Sequence, residues 1–138
     1  MITKPMQDAI NEQINKELYS SYLYLSMAAF FANKNLAGFS KWMHMQADEE
    51  REHAMKLYAH LEDRGGRVLL KSIAAPKTEW ASNLEAFNEV AAHEASVTAS
   101  IHALYETALA EKDYPAQVML QWFISEQVEE EKNAAEVV

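Results

Sequence analysis

The stretch FSKWMHMQADEEREHAMKLYAHLEDRGG, residues 39–66, decides the fold class. Six residues of this stretch follow one another at intervals of three or four positions, which places them on one face of an α-helix. They are Phe39, Met43, Gln46, Glu50, His53 and Leu57. The pair Gly65-Gly66, where left-handed backbone costs little, predicts the end of this helix, named helix B. A long helix therefore carries a carboxylate and an imidazole in the middle of its apolar face.

Three further helices are predicted on either side of helix B. Helix A starts near Thr3-Lys4-Pro5 and runs to the polar turn Asn33-Lys34-Asn35. Helix C starts at a capping box formed by Ser82 and Glu85 and reaches about Lys112, and helix D follows Asp113-Tyr114-Pro115. Their expected inner faces are Ile10, Ile14, Leu18, Tyr22 and Leu25 in A; Phe87, Val90, Glu94, Val97, Ile101, Leu104 and Ala108 in C; and Met119, Phe123, Gln127, Glu130, Ala134 and Val137 in D.

The connection between helices B and C, Gly65 to Ala81, is far longer than a turn between antiparallel helices needs. It has no helical period and contains Pro76. At about 3.3 Å per residue it can cover more than about 50 Å, whereas helix B is only about 43 Å long. The sequence therefore predicts an all-α four-helix bundle with one long crossover between B and C, formed by residues 1–138 as a single domain.

Composition excludes several classes of function. The net charge of −9 disfavours nucleic acid as a partner. The absence of cysteine excludes disulfides, thiolate zinc sites and iron–sulfur clusters, and fits a reducing compartment. The longest apolar stretch, Tyr22 to Ala32, is shorter than the roughly 20 residues of a membrane span, and Asp8 and Glu12 argue against a signal peptide. We expect a cytoplasmic protein without membrane contact.

Each of the four predicted helices carries a carboxylate in the middle of its inner face: Glu17, Glu50, Glu94 and Glu130. His53 and Gln127 lie one turn from Glu50 and Glu130 and point the same way. Burying unpaired carboxylates costs several kcal/mol each, and the four stripes contain no lysine or arginine. Two divalent cations would balance four carboxylates. Carboxylate and imidazole together suit iron or manganese, and zinc can also bind.

The chain resembles the non-haem ferritins of bacteria and archaea over essentially its whole length. The matching stretches are NEQINKELYSSYLYLSMAAFF (11–31), HMQADEEREHAMK (44–56), the pair His93-Glu94, and QWFISEQVEEE (121–131). Gln127-x-x-Glu130 departs from the second Glu-x-x-His motif of the symmetric di-iron site in haem-containing bacterioferritins. Arg51 stands where those relatives carry the haem-ligating methionine, so the resemblance implies that no haem is bound.

The resemblance implies ferroxidase activity, in which two Fe²⁺ ions bind at one site, reduce O₂ or H₂O₂, and pass on to a stored ferric mineral. Glu17, Glu50 and His53 would bind the first iron. Glu50 would bridge to a second iron held by Glu94 and Glu130. Gln127 would lie beside these ligands or near an oxygen-derived ligand.

Further site residues follow from the same resemblance. Glu49, Glu126 and Glu129 match the ligands of a third iron found in prokaryotic members, and the alternative is an exposed acidic face. Tyr24 resembles the tyrosine beside the iron pair, which donates an electron or a hydrogen bond, and Trp122 is a weaker candidate for that role. Both aromatic residues are alternatively core residues.

Ferritins assemble into homo-oligomeric shells of twenty-four subunits, and a short fifth helix after helix D lines their four-fold channels. The sequence stops at Val138, so the expectation is a chain without the fifth helix and with helix D shortened. Either the C-terminal part is missing from this sequence or the protein forms another oligomer. Two other functions stay open at this point. One is a rubrerythrin-like di-iron oxidase or peroxide reductase, and the other is a plain helical interaction bundle with solvated acids.

Overall fold

The structure is a computed structural model that describes residues 1–137. It contains four helices, α1 (Lys4–Asn33), α2 (Ala37–Asp63), α3 (Asn83–Ala110) and α4 (Tyr114–Val137), and no strand within those residues. These correspond to the predicted helices A to D, so the all-α prediction is confirmed. None of these helices has the apolar length that a membrane span requires.

The predicted start signals of the third and fourth helices form the expected hydrogen bonds. Ser82 Oγ accepts from the Glu85 backbone N–H at 3.1 Å, and the Glu85 carboxylate accepts from the Ala81 N–H at 3.1 Å. The second bond falls one residue before the position that a capping box normally uses. At the start of α4, Asp113 Oδ1 accepts from the Ala116 N–H at 3.0 Å. Side-chain caps therefore fix both helix starts.

Gly65 ends the second helix as the sequence predicts. It has φ 72°, in the left-handed region that favours glycine. The next residue, Gly66, donates its backbone N–H to the Leu61 carbonyl at 2.8 Å. This bond provides a donor for one of the last carbonyl groups of the helix, which have no hydrogen-bond partner within the helix itself.

Contacts divide the chain into two compact units. The first unit, Asn11–Glu79, contains most of α1, all of α2 and the long connection that follows. Its two helices are antiparallel, because Ser21 Oγ donates to the Ala47 carbonyl (2.7 Å) and Ser40 Oγ donates to the Ala28 carbonyl (2.9 Å).

The second unit consists of Met1–Ile10 and the chain from Trp80 onward. It therefore contains the first turns of α1 together with α3 and α4. The last two helices are antiparallel. Gln117 Nε2 donates to the Ala108 carbonyl at 3.3 Å near one end, and Gln127 Nε2 donates to Thr98 Oγ1 at 3.1 Å further along.

The connection after α2 runs along α1 in the direction of that helix. Asn11 makes two hydrogen bonds of 3.0 Å with its backbone, donating to the Arg67 carbonyl and accepting from the Leu69 N–H. Further along, Ser26 Oγ donates to the Lys77 carbonyl at 2.7 Å. Asn11 and Ser26 are about 22 Å apart at 1.5 Å per helical residue. The prediction of a long crossover is confirmed.

The inner face of α3 is confirmed, but that of α1 was predicted only in its first half. All seven expected residues of α3 are buried. In α1, however, Tyr22 and Leu25 are 47% and 45% exposed, and the buried face instead contains Tyr24, Met27, Ala28 and Phe31. Phe39 at the start of α2 and Val137 at the end of α4 are also exposed. Apolar residues surround the helix between positions 22 and 32, so the period alone did not select a face.

Candidate metal centre

The first unit brings together the three residues predicted to bind one iron. Glu17 from α1 and Glu50 and His53 from α2 each offer a ligand atom, and these atoms lie within 4.8 Å of one another. All three side chains are buried. His53 Nδ1 lies 3.3 Å from Glu50 Oε2 and 3.9 Å from Glu17 Oε2. The one-turn spacing of Glu50 and His53 points both side chains toward α1.

Glu17 keeps its negative charge despite its burial. Burial by itself raises the pKa of Glu17, but its neighbours Glu50, His53 and Gln13 more than offset this effect and hold the pKa below its ordinary value. One of these contacts is a hydrogen bond of 3.1 Å from Gln13 Nε2 to Glu17 Oε1. At neutral pH the group therefore contains a buried anionic oxygen.

The donor set of this group fits a transition-metal ion. Two carboxylates and one imidazole, with no thiolate, suit Fe²⁺ or Mn²⁺ and also accommodate Zn²⁺. Within residues 1–137, the buried atom Glu17 Oε2 accepts no hydrogen bond. A buried carboxylate oxygen without a donor is costly unless a cation binds it.

The second unit contains the remaining predicted ligands, Glu94 on α3 and Glu130 on α4, with Gln127. Their side chains are buried, between 1% and 3% exposed. Gln127 Nε2 donates to Glu94 Oε2 at 3.2 Å and lies 3.4 Å from the Glu94 carbonyl oxygen. A carboxylate and a carbonyl oxygen only accept hydrogen bonds, so the nitrogen of the Gln127 amide faces Glu94. Gln127 is thus a hydrogen-bond donor to a predicted metal ligand.

The other predicted site residues differ in their exposure. Tyr24 is fully buried on α1, whereas Trp122 on α4 is 39% exposed. Glu49 and Glu126 are half-buried, and Glu129 is exposed. The roles of these residues stay predictions.

Two residues that contact predicted ligands were not singled out from the sequence. Gln13 is 2% exposed and donates to Glu17. Thr98 is half-buried and accepts from the Gln127 amide at 3.1 Å. Each lies four residues from a predicted ligand on the same helix, which is the spacing of side-chain neighbours. The four-residue spacing from a predicted ligand was the one sequence feature that could have identified them. It does not show which polar residues face inward.

Comparison with known proteins supports the same interpretation of the fold. A bacterial non-heme ferritin of Staphylococcus saprophyticus is 44% identical over 95% of this chain and 78% of its own length. A bacterial non-heme ferritin of Bacteroides fragilis is 42% identical over 100% of this chain and 87% of its own. Among solved structures, the open pore ferritin of Archaeoglobus fulgidus is 49% identical and superposes with a TM-score of 0.98, covering 100% of this chain and 85% of that one.

The structural match covers every element of the chain and confirms the predicted ferritin-like four-helix fold. The sequence model of the ferritin-like domain family matches residues 7–138. This range includes α2, α3, all of α1 except its first three residues, the described part of α4, and all the predicted ligands. The chain therefore belongs to the ferritin family.

Proposed function

We propose that this protein stores iron, oxidising Fe²⁺ to Fe³⁺ at a ferroxidase centre within each subunit and depositing the product as a ferric mineral. The observation that carries the proposal is the buried group of Glu17, Glu50 and His53, whose ligand atoms lie within 4.8 Å of one another in a member of the ferritin family. Its oxygen and nitrogen donors match the coordination preference of ferrous iron.

Two ferrous ions bind as substrates at this centre in the proposal. Glu17, Glu50 and His53 hold the first ion, and Glu50 bridges to a second ion held by Glu94 and Glu130. Residues 1–138 are then a single di-iron domain. This arrangement is supported by the burial of all five ligands and by the match of the whole chain to ferritin structures.

The chemistry of the paired site is a two-electron reduction of the oxidant. Each Fe²⁺ loses one electron, so O₂ accepts two electrons and two protons and leaves as H₂O₂ without release of superoxide. With H₂O₂ as the oxidant, the same two electrons and two protons yield two molecules of water. The lowered pKa of Glu17 keeps an anionic oxygen available to the incoming ion.

Further residues of the centre are proposed from the family pattern. Tyr24, fully buried on the same helix as Glu17, donates an electron or a hydrogen bond near the iron pair. Glu49, Glu126 and Glu129 hold a third iron; the partial burial of the first two supports this more than the exposed position of Glu129 does.

The protein is proposed to act as a homo-oligomeric shell of twenty-four subunits in the cytoplasm. Large apolar side chains on the surface of the single chain support self-association, among them Tyr22 and Leu25 on α1 and Val118 on α4, which is 68% exposed. The lack of cysteine fits a reducing compartment.

An anaerobic Fe²⁺ titration of the metal-free protein, followed by a pulse of O₂, tests this function. We expect saturation at two or three ions per chain, rapid oxidation, and then slower uptake of many more ions. Glu50→Ala should abolish the rapid phase because it removes the bridging ligand. The matched control Glu52→Ala changes an exposed residue of the same helix and should leave the rapid phase intact. Rapid oxidation in Glu50→Ala would overturn the assignment, and oxidation that ends at the site without further uptake would overturn the storage function.

A further inference from the structure

Thr98 differs from the other serine and threonine residues of α3 in where its hydroxyl group points. The others donate to carbonyls of their own helix: Ser96 to His93, Ser100 to Val97 and Thr107 to Ala103. Thr98 Oγ1 instead donates to Glu131 Oε2 on α4 at 2.9 Å. Serine and threonine in helices commonly donate to a carbonyl of their own helix. Thr98 is an exception, because its hydroxyl group links α3 to α4.

The bond to Glu131 fixes the hydrogen of the Thr98 hydroxyl. A carboxylate oxygen accepts but does not donate, so the single hydroxyl hydrogen points to Glu131. The hydroxyl oxygen can then only accept from its other neighbour. That neighbour is Gln127 Nε2, at 3.1 Å.

The orientation of the Gln127 amide follows from this contact. Turning the amide over would place Oε1 against the lone pairs of Thr98 Oγ1, whose hydrogen is already used. It would also place Oε1 about where Nε2 now lies, 3.2 Å from Glu94 Oε2. Both contacts would join two acceptors. Thr98 and Glu94 therefore select the same orientation, in which Gln127 donates to Glu94.

We propose that Thr98 is a positioning residue of the iron site, which acts through Gln127 on the carboxylate of Glu94. The chain of hydrogen bonds runs from Glu131 at the surface through Thr98 and Gln127 to the buried ligand. It holds one Glu94 oxygen by a fixed donor and so restricts the directions from which this carboxylate can bind a metal ion. This inference rests on the proposed function, in which Glu94 binds iron.

The test compares three variants of the protein. Thr98→Val removes the hydroxyl and keeps the shape of the side chain. Thr98→Ser keeps the hydroxyl group. Thr107→Val makes the same change at a half-buried threonine of the same helix whose hydroxyl bonds only to its own backbone.

Two readouts are measured, the absorption spectrum of Co²⁺ added to the metal-free protein and the initial rate of Fe²⁺ oxidation. The Co²⁺ bands report ligand geometry directly. We expect Thr98→Val to change these bands and to slow oxidation about fivefold, the equivalent of one hydrogen bond of about 1 kcal/mol. Thr98→Ser and Thr107→Val should resemble the parent protein.

A Thr98→Val protein with the parent spectrum and the parent rate would overturn the inference while leaving the proposed function intact. Equal changes in Thr107→Val would also overturn it, because the effect would then come from the helix and not from the hydrogen-bond chain. Failure of the parent protein to bind Co²⁺ and to oxidise Fe²⁺ would instead refute the proposed function, and the inference with it.

Discussion

Gln127→Glu replaces a buried hydrogen-bond donor by a second carboxylate beside Glu94. The new oxygen would take the place of Nε2, which lies 3.2 Å from Glu94 Oε2. Two unit charges at that distance repel each other by about 5 kcal/mol at an effective dielectric constant of about 20. Since both side chains are at most 2% exposed, water screens this repulsion poorly. One of the two carboxylates must therefore bind a proton in the folded protein.

This proton makes the stability of the variant depend on pH. In the folded state the pKa of one carboxyl group is raised above its value in the unfolded chain, so the folded chain holds a proton that the unfolded chain releases. The free energy of unfolding then decreases, relative to the parent, as the pH rises above the ordinary range for glutamate. The slope is about 1.4 kcal/mol per pH unit, which gives about 3 kcal/mol between pH 5 and pH 7.5.

Urea unfolding of the metal-free protein, followed by circular dichroism at fixed protein concentration, measures this difference. The matched control is Gln121→Glu, which adds the same charge at an exposed position of α4 and should leave the pH dependence unchanged. A stability difference between Gln127→Glu and the parent that stays constant from pH 5 to pH 7.5 would refute the placement of Gln127 against Glu94. An equal effect in Gln121→Glu would refute it as well.

Two further predictions concern the first unit. Asn11→Ala removes the two hydrogen bonds of 3.0 Å that hold the connection after α2 against α1. The free energy of unfolding should fall by about 2 kcal/mol and the Tm by about 7 °C, and hydrogen exchange at the Leu69 amide should become faster. An unchanged exchange rate at Leu69 would contradict this contact. Folding lowers the pKa of Glu17, so the charged carboxylate stabilises the folded protein at any pH above the ordinary pKa of glutamate. This stabilisation is lost as the pH falls through the lowered pKa. Glu17→Gln should therefore reduce the acid sensitivity of the metal-free protein, and an identical acid unfolding profile would argue against the lowered pKa.

The helices and their ends could be predicted because local chemistry determines them. Ser82 and Asp113 cap helix starts with their own side chains, and Gly65 adopts the left-handed backbone that ends α2. The length of the connection after Gly65 likewise predicted that this segment runs along a helix of the bundle. None of these features depends on which helix packs against which.

The inner face of α1 could be predicted only where polar residues mark the outside. Between Tyr22 and Ala32 nearly every residue is apolar or small, so several faces satisfy the helical period. Tyr22 and Leu25 then lie on the surface and Tyr24 in the core. Only the position of the neighbouring helix decides between these faces.

The burial of the proposed ligands could be predicted, whereas their hydrogen-bond partners could not. A carboxylate in the middle of an apolar stripe, such as Glu94, is conspicuous because its burial is costly. Thr98 and Gln13 resemble ordinary helix-surface residues, and their contacts appear only when the partner side chains are in place. The direction of the Gln127 amide likewise depends on acceptors from α3.

An anomalous difference map at the iron edge is the most direct test of whether the buried carboxylates and His53 bind iron. Crystals of the protein would be soaked with Fe²⁺ without oxygen, and the map would be compared with one measured below the edge. We expect an iron peak in coordination contact with Glu17, Glu50 and His53, and a second peak in coordination contact with Glu50, Glu94 and Glu130. Iron found only on exposed acidic residues, with neither buried peak, would contradict it.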